Sequence, residues 1–209
     1  MTLSTRKQIT VFAVFFWLAL SLMVANLAVS GEAAGTLNAF NGVAKIQSLG
    51  QDDWSSAPHG QVLSAGDRVR VSDGNANVRF ANASLFILGK GEVQIPLVGG
   101  ESSADALIGL GQYRIAFNRT ENGTSGGLMM LTPFGEVTAN DDAVFTVSNE
   151  GPVQLVSVNT GSLTVAHTVR PELAQRIVAS GSSLAMNASG MGPATGLPRP
   201  QYVAMSDVN

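Results

Sequence analysis

The residues in this 209-residue chain that could do chemistry are few, and most are spaced wrongly for it. The two histidines, His59 and His167, stand far apart in sequence; one follows Pro58 in a loop and the other ends a strand. A metal site needs more ligands at set spacings, so both are read as solvated or core residues, and no metal or cofactor is expected. Asp141-Asp142 and Asp52-Asp53 are adjacent acid pairs, but each falls on turn residues. A turn aspartate that bonds its own backbone accounts for such a pair without catalysis or calcium. Ser64 and Ser84 have no basic partner nearby, so no serine nucleophile is indicated. Gly99-Gly100 and Gly126-Gly127 lack the spacing of a phosphate loop. The catalytic residues expected are therefore none. What remains is a binding signal. Arg68, Arg70 and Arg79 fall on outward positions of neighbouring strands, with Asp67 and Asp73 as local counter-charges. They form the candidate face for an acidic partner or a polysaccharide.

The elements that position these arginines lie between Val62 and Gly89. Arg68–Ser72 and Ala76–Phe80 alternate polar with apolar residues, and Leu85–Leu88 is a third short β run. Successive side chains of a strand point to opposite faces, so each alternating run has one buried and one wet face. Ala65-Gly66-Asp67 and Asp73-Gly74-Asn75 read as turns between the runs. The same rhythm continues through Gly42–Gln47, Gly91–Val98, Leu107–Phe117, Glu136–Ala139, Ala143–Val147, Val153–Val158, Ser162–Thr168, Arg176–Ala179 and Ser183–Met186. Pro96 restricts Gly91–Val98 to an edge strand or a strand end. Pro171–Arg176 reads as a short helical turn, and Trp54 as a ring capping one end of the core. The expectation is an all-β single domain of many short strands. It is read as β-solenoid-like, with a β-sandwich as the alternative.

Composition agrees. Charged residues are 13% and glycines number 23, which suits turn-rich β structure and not helices. Mean hydropathy is +0.21, raised by the N-terminus. Apart from Arg6 and Lys7, ten basic residues face fifteen acids, a body near −5. That balance excludes the electrostatic footprint of a nucleic-acid binder. With no cysteine there is no disulfide framework, thiolate nucleophile or lipidated N-terminal cysteine. Ile9–Val29 is almost wholly apolar behind a basic start, the layout of a secretory signal with a cut after Ser30 or near Ala33-Ala34-Gly35. A hydrophobic helix of this length also fits an uncleaved anchor with the body outside the cytoplasm. Residues 1–30 are thus a signal peptide or anchor, 31–187 the β domain, and 188–209 a flexible Gly/Pro-rich tail. The Asn-x-Ser/Thr sites at Asn82, Asn118, Asn122 and Asn187 would accept glycans only on a eukaryotic secretory route.

The ordered set of motifs resembles the FecR domain family, named after the ferric-citrate regulator of Gram-negative bacteria. It begins with Gly42-Val43-Ala44 and Trp54, then Leu63-Ser64-Ala65-Gly66-Asp67-Arg68-Val69 and Ser84-Leu85-Phe86-Ile87-Leu88. Leu110-Gly111-Gln112-Tyr113-Arg114, Thr132-Pro133-Phe134-Gly135-Glu136-Val137 and Phe145-Thr146-Val147 follow. Val156–Val165 and Gly181 complete the set. The resemblance covers roughly Gly35 to Met186, with departures at the turns Asn82-Ala83 and Asp141-Asp142. It implies a solenoid-like β module exported to the periplasm or cell surface. It does not imply a complete sigma regulator, because the family's cytoplasmic anti-sigma domain has no counterpart in the eight residues before the apolar run. The function expected is a non-enzymatic module of the bacterial envelope that binds a partner or serves as a scaffold for signalling or surface assembly, with a protein or polysaccharide partner and no nucleic acid. The alternatives are a membrane-anchored regulator and a glycan-active envelope enzyme.

Overall fold

Alternation of buried and exposed side chains runs through nearly every strand, and the way that alternation slips sets the architecture. The computed structural model describes residues 33–80, 83–97, 104–119 and 127–196, all in the unit that begins at Ala33. The expected N-terminal helix, Asn82, Asn122, Gly99-Gly100, Gly126 and the last thirteen residues of the tail lie outside the described residues. The first four strands are β1 (Ala33–Gln47), β2 (Ser55–Ser56), β3 (Gln61–Ser64) and β4 (Arg68–Arg79). Next come β5 (Ala83–Gln94), β6 (Ala106–Phe117), β7 (Leu128–Leu131), β8 (Gly135–Ala139), β9 (Ala143–Asn149) and β10 (Gln154–Thr160). The series closes with β11 (Ser162–His167), β12 (Arg176–Ala179), β13 (Ser182–Asn187), β14 (Gly190–Met191) and β15 (Thr195–Gly196). No helix occurs among the described residues, and Pro171–Arg176 is a turn closed by Leu173 N–H donating to Arg170 O at 3.0 Å.

The runs read separately as Arg68–Ser72 and Ala76–Phe80 are one strand, and so are Leu85–Leu88 and the start of Gly91–Val98. Each long strand bends in the middle, and in β1, β4 and β6 the buried face changes phase there. In β4, Val69 and Val71 are buried before the bend, and Ala76 and Val78 after it. In β6, Ala106 and Ile108 give way to Tyr113, Ile115 and Phe117. The register slips at the same places, between Val43 and Ala44 in β1 and between Val71 and Asn75 in β4. Such a bulge turns a strand without ending its ladder. The bend of β1 meets that of β4 at Gly42 opposite Gly74, with φ of 106° and 92°. Pro96 lies just past the end of β5, which is a central strand, so it marks a strand end.

β1, β4, β5 and β6 pair in that order, and the sheet then forks. One branch runs from β6 through β9 and β10 to β13, the other through β7, β8 and β11 to β12. The branches face each other over one core. Gly135 of β8 lies against the Met186 sulfur of β13, where an added Cβ would come within 2.8 Å. At the β7–β8 turn the Thr132 hydroxyl sits 2.7 Å from Gln154 Oε1 on β10. Apart from the two-residue β6–β7 pairing, the pairs are antiparallel. Solenoid rungs stack each strand on its counterpart one turn on, and this hairpin pairing is a different arrangement. Pairing also extends beyond Asn187, into the region read as a tail, because β14 and β15 both pair with β13.

Tyr113 pins the bend of β5 against that of β6. Its hydroxyl accepts from Glu92 N–H at 3.0 Å and lies 2.9 Å from both Glu92 O and Leu110 O. Burial, with the Glu92 charge adding to it, pushes the phenol up to about 12. Between pH 10 and that value the unfolded chain gives up this proton and the folded chain does not. Stability is therefore expected to fall as pH rises above the ordinary tyrosine range. Tyr113→Phe should be less stable by about 1–3 kcal/mol at neutral pH, since it leaves backbone groups unpaired. It should also show a shallower alkaline decline. Urea denaturation at neutral and alkaline pH checks both.

Candidate functional site

The outward positions of β4 before its bend, and of β1 and β5 after theirs, form one polar surface. Inward Ile46, Val69 and Val93 are in register across the three strands, so Gln47, Arg68 and Gln94 line up in the next row. Lys45, Arg70 and Glu92 form the row on the other side. Two arginines two residues apart on one strand face repel each other. Glu92 resolves this by giving each its own oxygen. Arg70 donates through Nε (2.9 Å) and Nη2 (2.8 Å) to Oε2, and Arg68 donates through Nε (3.0 Å) and Nη2 to Oε1. Arg68 Nη1 reaches Gln47 Oε1 at 3.0 Å. The loop ahead of β2 brings Trp54 beneath both guanidiniums, with the Arg70 carbon 4.1 Å and the Arg68 carbon 5.4 Å from the ring centre. Gln47 Nε2 ties that loop down by donating to Asp52 O at 2.9 Å. Trp54 thus belongs to the outward face and not to an end of the core.

Burial would raise the Glu92 carboxyl, but its hydrogen bonds to Arg70 and Arg68 and their charges outweigh it and hold it below the usual range. A depressed carboxyl stabilises the fold above its unfolded value, and that contribution is lost as pH falls through the folded one. Acid titration is therefore expected to change Trp54 fluorescence below the ordinary carboxylate range, as the guanidiniums lose their anchor. Glu92→Gln should abolish the transition, and its persistence in that variant would sink this assignment.

The three arginines named from sequence do not converge. Arg68 and Arg70 stand together, paired with Glu92 in place of Asp67 and Asp73. Asp67 is buried, and its carboxylate accepts from Ser64 N–H at 2.9 Å and Leu49 N–H at 3.3 Å. Arg79 lies beyond the bend of β4 and lines a separate hollow of about 390 Å³ with Ser84, Phe117, Asp142 and Thr160. The sequence reading missed Glu92, Lys45 and Gln47 as members of the site. Alternation places all three outward, but their partners depend on strand register.

The remaining candidates are structural. His59 is exposed. His167 is buried, and its Nδ1 accepts from Val169 N–H (3.2 Å) and Arg170 N–H (3.0 Å). That leaves the hydrogen on Nε2, which donates to Asn187 O at 2.7 Å. His167 thereby ties β11 to the end of β13. Asp141 and Asp142 do not serve their own turn; they accept from the Arg119 guanidinium and the Arg119 N–H, each at 2.8 Å. Among the described residues no cluster of three metal-ligating side chains occurs.

No family profile and no curated protein matches this chain. Two crystal structures of a candidate anti-sigma factor from Parabacteroides distasonis ATCC 8503 are similar to it, with TM-scores of 0.42 and 0.37 and identities of 15% and 14%. Each similarity covers 64% of this chain and 57% of that one.

Proposed function

We propose that the chain is an exported, non-enzymatic binding module of the FecR type. It works in the bacterial envelope by holding a partner against the Trp54–Arg70–Arg68 face. The observation that carries this reading is the locking of both guanidiniums over Trp54 by a single carboxylate, on an outward face of a sheet. Tryptophan and arginine dominate the energetics of binding surfaces. Side chains held in place before a partner arrives lose less freedom on binding. Residues 1–30 supply export, as a cleaved signal or an anchor, on the strength of Arg6 and Lys7 ahead of Ile9–Val29. The ordered FecR-type motifs support a role in signalling or envelope scaffolding.

The test is capture from envelope extract by the tagged protein and by the Trp54→Ala/Arg70→Ala double variant, with folding of both checked by circular dichroism. A partner retained by the parent and lost by the variant is the expected result. Equal retention would overturn this face as the binding surface.

A further inference from the structure

Beside the arginine pair the outward surface of β4, β5 and β6 drops into a groove of about 290 Å³. Gly109 creates it. Its neighbour Ile108 points into the core, so position 109 faces outward beside Glu92, and there is no side chain to fill the space. Val71, Ser72 and Leu110 line the groove, and Leu110 is 67% exposed, an apolar rim residue. The charges on the rim are chiefly positive. Arg70 and Lys90 line it, and Lys45 stands in register beside Arg70. Glu92, the acid in the lining, is already bonded to both arginines. The exposed acids Asp52 and Asp53 lie in the loop ahead of β2 and Asp73 in the bend of β4, outside the lining.

We propose that this groove takes an acidic peptide segment, with an aliphatic or aromatic side chain in the slot over Gly109 and carboxylates on Arg70, Lys90 and Lys45. The inference rests on the binding-module reading and names its partner class. Charge complementarity decides for an anion, because the patch is basic on a body that is acidic as a whole. The apolar slot decides for a peptide side chain. A saccharide would want a free aromatic platform, and the Arg70 guanidinium lies over Trp54 at 4.1 Å.

The experiment is fluorescence anisotropy with the full-chain protein and a labelled hexapeptide of alternating glutamate and leucine. Lysine/leucine and glutamate/serine hexapeptides and a polyuronate serve as comparisons. Gly109→Val fills the slot, and its Cβ would lie at ordinary contact, 3.5 Å from Glu92 O. Lys90→Glu reverses a rim charge. Both leave the Trp54–Arg70–Glu92 cluster in place. Saturable binding of the glutamate/leucine peptide is expected, about tenfold weaker in each variant and with the serine analogue, and absent with the lysine analogue. Unchanged affinity in both variants would overturn the proposal. Binding of polyuronate but not peptide would also overturn it, yet would leave the binding-module reading standing if Arg70→Ala abolished that binding.

Discussion

Gly74→Ala is expected to unfold the protein or destabilise it by about 4 kcal/mol or more, in the range that marks a specific structural conflict. At φ 92° an alanine is strained on its own account, by roughly 1–2 kcal/mol. Here the new Cβ would also stand 1.5 Å from Asn41 O and 2.5 Å from Asn41 C, both backbone atoms of β1 that cannot swing away. Gly42 has the reciprocal problem, its Cβ position lying 2.1 Å from Asp73 O. The two glycines face each other so that two bent strands can stay hydrogen-bonded through their bends. Gly89→Ala is the control. It has a similar φ of 79°, but nothing lies within 4 Å of its Cβ position. It should lose only about 1 kcal/mol. Urea denaturation of the two variants separates backbone conformation from backbone collision, and similar midpoints would show that the strands can move apart at their bends.

Asp67→Ala should be the second large loss, about 2–3 kcal/mol, because it removes the buried carboxylate that accepts from both the Leu49 and Ser64 N–H groups and ties their two turns together. The backbone around it is equally committed: Ile95 N–H donates to Asp67 O at 2.8 Å, and Asp67 N–H to Ser64 O at 3.1 Å. Asp67→Asn is no rescue, since both carboxylate oxygens accept and an amide has one acceptor oxygen. Asp73→Ala, at an exposed position of the β4 bend, should stay within about 0.5 kcal/mol of the parent. Thermal melts of the three variants check this order. A loss at Asp73 equal to that at Asp67 would contradict the assignment.

These two aspartates show what could be read from the residues and what could not. Alternation in Arg68–Ser72 and Asn77–Phe80 made the β class and the inward valines legible, because it is a property of the strand alone. Gly66-Asp67 was legible as a backbone turn for the same local reason. Asp73-Gly74-Asn75 carries equally strong turn residues, yet it bends a strand without ending it. Whether a glycine ends or bends a strand depends on what stands opposite, and that is Gly42, far back in the chain. The arginine face divides the same way. Its outward direction follows from the valines between, but the Glu92 partner follows from a register that shifts between Val71 and Asn75, at the bend of β4. Trp54 reads as a cap on one end of the core because a tryptophan in a polar loop carries no sign of the guanidiniums that will cover it. Arg79 groups with Arg68 and Arg70 in the sequence because it alternates outward in what reads as a neighbouring strand, but the two runs are one strand and the bend of β4 parts them. The solenoid expectation caught the progression of strands along the chain and missed their antiparallel pairing, which spacing does not encode.

The forked sheet keeps strands close to chain order, from β1, β4, β5 and β6 outward to β12 and β13. Each strand is laid onto neighbours made of chain already synthesised, and none in the first half waits for a partner from the far end. Assembly can therefore advance as the polypeptide emerges, with β1 and β4 as its foundation and the two branches added last. Opening should run the other way. In hydrogen–deuterium exchange the amides of β12, β14 and β15 would trade first and those of β4 and β5 last, a gradient of protection written along the sequence itself.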